Sequence, residues 1–401
     1  MSDNSIPTTG AKAFPFPVII HVDMNTFYAA VERRDNLKKY EGKIIVVGKK
    51  ESPAIVVSAD YAARKKEVKA GMPIYKARQL CPEMTLVEPN MPKYERESEL
   101  LMEIIRRVAG PAAVFEKVSV DEAFIDVSAA CQGTDADDSL EKAVPLAWQI
   151  KIQMSNERHL LASVGIASER FIAKLASDSC KPDSKNPCGL LLVLESEKME
   201  FLKSFAVEKL YGVGDVTQAK LNAVGIYTVA DLIDYEGDLC AVVGNDKGEL
   251  LKGYVQGKDR KGIAPKGKPK QYTAQKSFRR GKMPVGDEVV PVLLSQAKEV
   301  AADLRKDEVL AVNVEVSVCY KFRKKGNDGH AQVKLPFPTD DMGIIFATAL
   351  SLLDKSNLRA TPLRKLCLGT TKVVPQGTTV MAISKPKSKS KKKDKNQIRL
   401  F

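Results

Sequence analysis

Val18-Ile19-Ile20-His21-Val22-Asp23-Met24-Asn25-Thr26-Phe27-Tyr28 and, far downstream, Lys117-Val118-Ser119-Val120-Asp121-Glu122-Ala123-Phe124-Ile125-Asp126 are two apolar stretches that run into acid. The continuous apolar character of the first predicts a strand buried on both faces. The second predicts two short strands meeting at a tight Asp-Glu corner. Carboxylates brought together from neighbouring strands repel, and burial adds a desolvation cost, so three of them persist most readily around a divalent cation. Oxygen-only ligation points to magnesium, and two such ions clamp the attacking and leaving oxygens of a phosphoryl transfer. The competing reading of Asp23 alone is an ordinary turn or cap residue at a strand end.

The surroundings are specific. Asp23-Met24-Asn25-Thr26-Phe27-Tyr28-Ala29-Ala30-Val31-Glu32 and Ser119-Val120-Asp121-Glu122-Ala123-Phe124-Ile125-Asp126 resemble the paired signatures of Y-family translesion DNA polymerases. Between them, Val56-Val57-Ser58-Ala59-Asp60-Tyr61-Ala62-Ala63-Arg64 and Val68-Lys69-Ala70-Gly71-Met72-Pro73 are similar to the family's fingers segment. Val164-Gly165-Ile166-Ala167-Ser168, Phe171-Ile172-Ala173-Lys174-Leu175-Ala176-Ser177 and Lys181-Pro182 are similar to its closing palm helix. The resemblance spans residues 15–380, and the short connection Val47 to Ile55 sets it nearer the polymerase IV and kappa branch than the eta branch. It implies an α+β multidomain, right-hand polymerase: a DNA-directed DNA polymerase that transfers nucleotides from dNTP to a primer 3′-hydroxyl with low fidelity and no proofreading. Two Mg2+ ions, replaceable by Mn2+, are implied as cofactors.

At 401 residues the chain has room for two to four domains. Its formal charge of +13 suits a polyanionic partner, without separating DNA from RNA or an acidic membrane. No apolar run reaches membrane-spanning length, and the polar start Met1 to Thr9 lacks a signal-peptide pattern. A cytoplasmic, nucleoid-associated location is expected, nuclear if the source is eukaryotic. The seven cysteines show no CxxC spacing and there are only three histidines, so a structural zinc site is not expected.

The expected organisation is an α/β palm (1–26 and 92–181) interrupted by small fingers (27–91), then a helical thumb (182–257), a linker (258–270), a little finger (271–382) and a disordered basic tail (383–401). In the fingers, Tyr28 to Leu37 and Tyr61 to Cys81 read as helices, and Lys43 to Val47 and Ala54 to Ser58 as strands. Glu95 to Val108 reads as a helix returning to the palm. Gly212 and Gly214, in Tyr211-Gly212-Val213-Gly214-Asp215, resemble a helix-hairpin-helix that brings backbone amides to a DNA phosphate; a plain Gly-x-Gly turn is the alternative. Residues 258–270 are too basic and too rich in Gly and Pro to pack. Beyond them the pattern is βαββαβ, with Val312, Val314, Val316 and Val318 alternating against polar residues, so one sheet face is covered and the other free for a partner. The resemblance lays this module in the DNA major groove.

On this frame Asp23, Asp121 and Glu122 hold the metals, and the resemblance adds the Met24 carbonyl. Asp126, beyond the corner, reads as structural. Tyr61 and Arg64, three residues apart on one helix face, present a hydroxyl and a guanidinium to the triphosphate, with Lys174, Ser58 and the amides of Asn25, Thr26, Phe27 and Tyr28 as further donors. By resemblance Tyr28 is the steric gate against a 2′-hydroxyl; a core aromatic is its rival role, which suits Phe27 better. Ile55 and Val57 point the same way and should roof the nascent base pair. Arg279, Arg280, Lys321, Arg323, Lys324 and Lys325 stand at strand ends on the presumed DNA side. Gln397, Leu400 and Phe401 resemble a clamp-binding peptide of the bacterial type, on a lysine-rich tether. Primer-template DNA, dNTP and a sliding clamp are the expected partners of a monomer with no membrane. The rival functions are a nucleotidyl cyclase on a similar palm and a non-catalytic DNA- and clamp-binding factor.

Overall fold

The structure, a computed structural model, describes residues 14–50, 54–258, 262–265, 267–279, 281–320 and 328–378. The chain forms two compact units that divide between Lys266 and Gly267.

In the first unit Ile19–Met24 forms strand β1, buried throughout except at the half-buried Asp23. Thr26, in the left-handed region at φ 47°, turns the chain at once into helix α1 (Phe27–Asp35). The amides entering α1 therefore lie within a few residues of the Asp23 carboxylate. Strands β2 (Ile45–Gly48) and β3 (Val56–Ala59) pair antiparallel. Helices α2 (Tyr61–Lys65) and α3 (Ile74–Leu80) follow, and β4 (Thr85–Val87) adds parallel to β2. Val46, Val56, Ala63, Val68, Ile74 and Cys81 make a small core of their own there. The single helix expected from Tyr61 to Cys81 is broken in two. Glu67 (φ 63°) and Gly71 (φ 82°) leave the helical region, and Pro73 has no amide with which to continue a helix. Asp60 caps the first piece, accepting from the Ala63 amide at 2.9 Å.

Helix α4 (Met91–Ala109) starts one turn earlier than periodicity predicts, because Asn90 caps it and Pro92 suits its first turn. It buries Tyr94, Leu101, Met102, Ile104 and Ile105. Strands β5 (Val114–Lys117) and β6 (Glu122–Asp126) are the two short strands expected around the acidic corner. Helix α5 (Val144–Arg158), strand β7 (Ala162–Ala167), helix α6 (Arg170–Ser179) and strand β8 (Leu190–Leu192) complete the layer. The sheet order is β5-β6-β1-β7-β8, with β1 central and antiparallel to both neighbours. Glu97 of α4, 4 % exposed, binds Arg34 of α1 and Arg158 of α5 at 2.6–3.1 Å. Burial alone favours its neutral form, but the two guanidiniums outweigh burial and hold its pKa at about 2. Helix α6 sits hard on β7: a Cβ at Gly165 would stand 2.0 Å from the Ala173 carbonyl oxygen and 2.5 Å from the Ser177 amide.

Further along, Gly212 (φ 89°) makes a turn and Gly214 leads into helix α7 (Asp215–Asn222). The element immediately before that turn is a single 3-10 turn, Val207–Lys209, rather than a full helix.

The second unit runs β9 (Tyr272–Ser277), α8 (Val290–Lys306), β10 (Val309–Tyr320), β11 (Gly329–Thr339), α9 (Met342–Lys355), β12 (Leu363–Thr370), which is the βαββαβ order expected. A short β13 (Val373–Pro375) pairs beside β10 in a sheet ordered β11-β10-β12-β9. Val312, Val314, Val316 and Val318 are buried, as their alternation predicts. The opposite face is not wholly free: Asn313 is buried and accepts from the Thr370 hydroxyl (3.0 Å) and the Lys372 amide (2.9 Å). Among the described residues no helix is long and apolar enough to cross a membrane.

Candidate active site

Antiparallel pairing of β1 with β6 sets Asp23 directly opposite Glu122. Asp121 joins them through the main chain, its carbonyl accepting from the Met24 amide at 2.9 Å, while its carboxylate accepts from the Ser119 hydroxyl at 2.6 Å. Asn25 is anchored beside them: its amide donates to the Leu161 carbonyl and its side chain accepts from Ser163, both at 2.9 Å. Asp126 lies at the other end of β6, opposite Ile19, and accepts from the Ser128 amide and hydroxyl at 2.9 and 2.5 Å. These bonds tie it to the turn that follows β6.

Two cations reach the acids from α6 and the residues just after it. Lys174 pairs with Glu122, and Lys181 stands 2.9 Å from Asp23 and 2.5 Å from Asp178. Beneath them His21 is fully buried, its Nε2 2.8 Å from Glu122 and its Nδ1 2.6 Å from the Ser177 hydroxyl. Burial lowers the His21 pKa against the pull of Glu122. For Glu122, burial favours the protonated acid, but the His21 hydrogen bond and the Lys174 charge prevail and hold it at about 2. Asp23 is pushed upward by burial, an effect that Lys181 only partly offsets. Among the described residues no three acidic, histidine or cysteine side chains converge as a metal cage. Lysine charge balances the carboxylates instead. The donor set of Asp23, Asp121 and Glu122 is nonetheless all oxygen, as a hard divalent cation requires.

Strand β3 and helix α2 place a second set of groups nearby. Tyr61 begins α2, and its hydroxyl is buried with no hydrogen-bond partner among the described residues. A buried polar atom left unpaired is costly, so this orphan donor fits a ligand oxygen. Burial first, then the charge of Asp183, raises the Tyr61 pKa and keeps it a donor. Arg64 lies 5.3 Å from the Tyr61 ring centre; its Nε donates to the Ala59 carbonyl at 3.1 Å, and its Nη1 is 3.5 Å from Asp183. Ser58 is buried on β3, whereas Val57 on that strand and Ile55, which precedes it in an isolated bridge to Pro73, are 36 % and 54 % exposed, two apolar side chains left uncovered. A cavity of about 730 Å³ opens between α1 and α2, bordered by Asn25, Thr26, Tyr61 and Pro182.

The adjacent aromatics of α1 part company. Phe27 is core, while Tyr28 is half-buried with its ring stacked on Tyr94 at 4.2 Å and 16°. Tyr94 is itself pinned by its hydroxyl to Glu32 at 2.8 Å. Burial and then the Asp121 charge raise the Tyr28 pKa, so one face of this ring is backed by aromatic packing and its hydroxyl feels the acidic corner.

Sequence patterns singled out Lys174 but assigned nothing to Lys181, His21 or Asp183. Lys181 carried one usable signal, a cation just after a helix end and before Pro182. Arg279 follows β9, its carbonyl accepting from the Lys282 amide at 3.0 Å. Arg280, Lys321, Arg323, Lys324, Lys325, Gln397, Leu400 and Phe401 lie outside the described residues.

Residues 22–178 match the impB/mucB/samB family, and residues 269–383 match the C-terminal domain of the same family. DNA polymerase IV of Desulfatibacillum aliphaticivorans is 31 % identical over 360 residues, covering 90 % of this chain and 86 % of the relative. DNA polymerase IV of Clostridium perfringens strain 13 is 32 % identical over 320 residues, covering 79 % and 80 %. Among solved structures, a Y-family polymerase chimera of Dbh and Dpo4 matches with a TM-score of 0.76 at 24 % identity, over 90 % of this chain and all of that one. An insertion ternary complex of Dbh DNA polymerase matches at 0.63 and 25 % identity, with the same coverage. The chain belongs to the impB/mucB/samB family, the Y family of DNA polymerases. Within that family it falls with polymerase IV, and its activity is that of a DNA-directed DNA polymerase.

Proposed function

We propose that this polymerase performs low-fidelity, template-directed translesion synthesis without proofreading, through a palm, fingers, thumb and little finger with the boundaries given above. The observation that carries the reading is Asp23 facing Glu122 beside Asp121, with the orphan Tyr61 hydroxyl and Arg64 close by. Asp23, Asp121, Glu122 and the Met24 carbonyl would hold two Mg2+ ions. When bound, such ions neutralise the triphosphate and acidify the primer 3′-hydroxyl. Tyr61, Arg64, Ser58, Lys174 and Lys181, with the amides of Asn25 to Tyr28, orient the triphosphate by hydrogen bonds and charge. Tyr28, backed by Tyr94, closes the sugar side against a 2′-hydroxyl. Ile55 and Val57 cover the base pair, and their branching narrows the space for very bulky template lesions. The Gly212–Gly214 turn, with Arg279, Arg280, Lys321, Arg323, Lys324 and Lys325, grips phosphates without reading sequence.

Primer extension tests the reading. The purified chain with Mg2+ and four dNTPs should add the nucleotide dictated by each template base. A product made from a single nucleoside triphosphate without DNA, and no extension with DNA, would make it a cyclase; binding to DNA with neither product would make it a non-catalytic factor.

The terminal segment Gln397 to Phe401 would tether the enzyme to a clamp and raise its local concentration at the primer end. Deleting residues 397–401 is expected to leave clamp-free extension unchanged and to remove stimulation by a bacterial clamp. Equal stimulation of the truncated chain refutes the tether.

A further inference from the structure

The turn after α6 links the two halves of the site. Pro182 fixes its backbone, and the amide and hydroxyl of Ser184 both donate to the Lys181 carbonyl, at 2.9 and 2.6 Å. Lys181 on this turn faces Asp23 at 2.9 Å, whereas Asp183, two residues on, faces Arg64 of α2 at 3.5 Å. One short turn thus places a cation on a catalytic acid and an anion on a phosphate-binding guanidinium.

We propose that Asp183 tunes affinity for the incoming nucleotide by competing with the triphosphate for Arg64. The proposal rests on the assignment of Arg64 to the triphosphate. Arg64 is steadied at Nε by the Ala59 carbonyl, so the guanidinium edge left for a ligand includes the Nη1 that Asp183 engages. Phosphate oxygens arriving there must displace a carboxylate that already uses this donor. They also meet a like charge at close range, because Asp183 acts electrostatically on the neighbouring Tyr61 as well. Both penalties fall on nucleotide binding rather than on the chemical step, so they belong in KM and not in kcat. The side chains of Arg64 and Asp183 are 37 % and 29 % exposed, so solvent screens the pair and its influence is modest. A change of about two- to fivefold in KM matches an ion pair so exposed.

The test is steady-state single-nucleotide insertion by the full chain on primed DNA, for the wild type, Asp183→Asn, Asp183→Glu, Arg64→Ala and the double variant Arg64→Ala/Asp183→Asn. The expected pattern is a lower KM for dNTP in Asp183→Asn with kcat unchanged, and a wild-type KM in Asp183→Glu, which keeps the charge. Arg64→Ala should raise KM, and adding Asp183→Asn to it should change nothing. If Arg64→Ala leaves KM unaltered, the assignment of Arg64 fails and the competition with it. If Arg64→Ala raises KM while Asp183→Asn leaves it unchanged or raises it, the competition alone is refuted. A lowered KM that persists without Arg64 refutes it too. Melting curves accompany each variant, and Asp183→Ser replaces Asp183→Asn should the latter prove unfolded.

Discussion

Asp121→Ala and Glu122→Ala are each expected to abolish primer extension while leaving primer-template binding close to wild type. The two carboxylates sit at a corner held by main-chain bonds, so truncating either removes charge without removing the strand pairing that shapes the site. Loss of a metal-holding carboxylate forfeits several kcal/mol of transition-state stabilisation, or about a thousandfold in rate. DNA binding should survive because the proposed phosphate contacts lie on other parts of the chain. Glu122 also bears the hydrogen bond from His21 and the Lys174 charge, so Glu122→Gln serves as the companion variant that keeps shape and removes charge. Single-turnover extension with a gel-shift titration makes the measurement. Near wild-type extension by either alanine variant would sink the metal assignment.

Tyr28→Ala is expected to raise ribonucleotide insertion relative to deoxyribonucleotide insertion by roughly 10- to 100-fold, the discrimination a small steric difference can supply. The ring is half-buried and lies flat on Tyr94, which is pinned by Glu32, so it forms a fixed wall rather than a mobile flap. Its removal should cost less than the roughly 3–5 kcal/mol of a fully buried ring, since part of its surface is already open. Insertion of each nucleotide, alongside a melting curve, separates the two roles. A destabilised variant with unchanged sugar preference would end the gate assignment.

What could be read from local pattern and what could not differ for a physical reason. An apolar run ending in acid reports its own strand, and the valine alternation at 312–318 reports which face of β10 is buried, because both signals have the period of the structure they form. The break between α2 and α3 is masked in the sequence because the helical composition on either side of Gly71 and Pro73 outweighs them. The lysine and carboxylate heads were harder still: Lys181 meets Asp23 across 158 residues of chain. No window of sequence contains both partners, and the meeting depends on how α6 is seated on the sheet. The burial of Asn313 on the face expected to be free escapes local pattern for the same reason, its partners coming from residues 370–372.

The glycine at 165 has a consequence for how this protein can vary by descent. With no room for a Cβ between β7 and α6, the helix is seated with its backbone close against the strand, and it carries Lys174, and the turn bearing Lys181, to their carboxylates. One residue added or lost within the helix between Lys174 and Ser179 would rotate everything after it by about 100° about the helix axis and swing Lys181 off Asp23. Length variation is thus disfavoured within that helical stretch and tolerable after Ser184, where residues 185–188 are exposed on the way to β8. The exposed segment begins two residues past Asp183, at Lys185, so that loop can be remodelled without altering the spacing on which the acids depend.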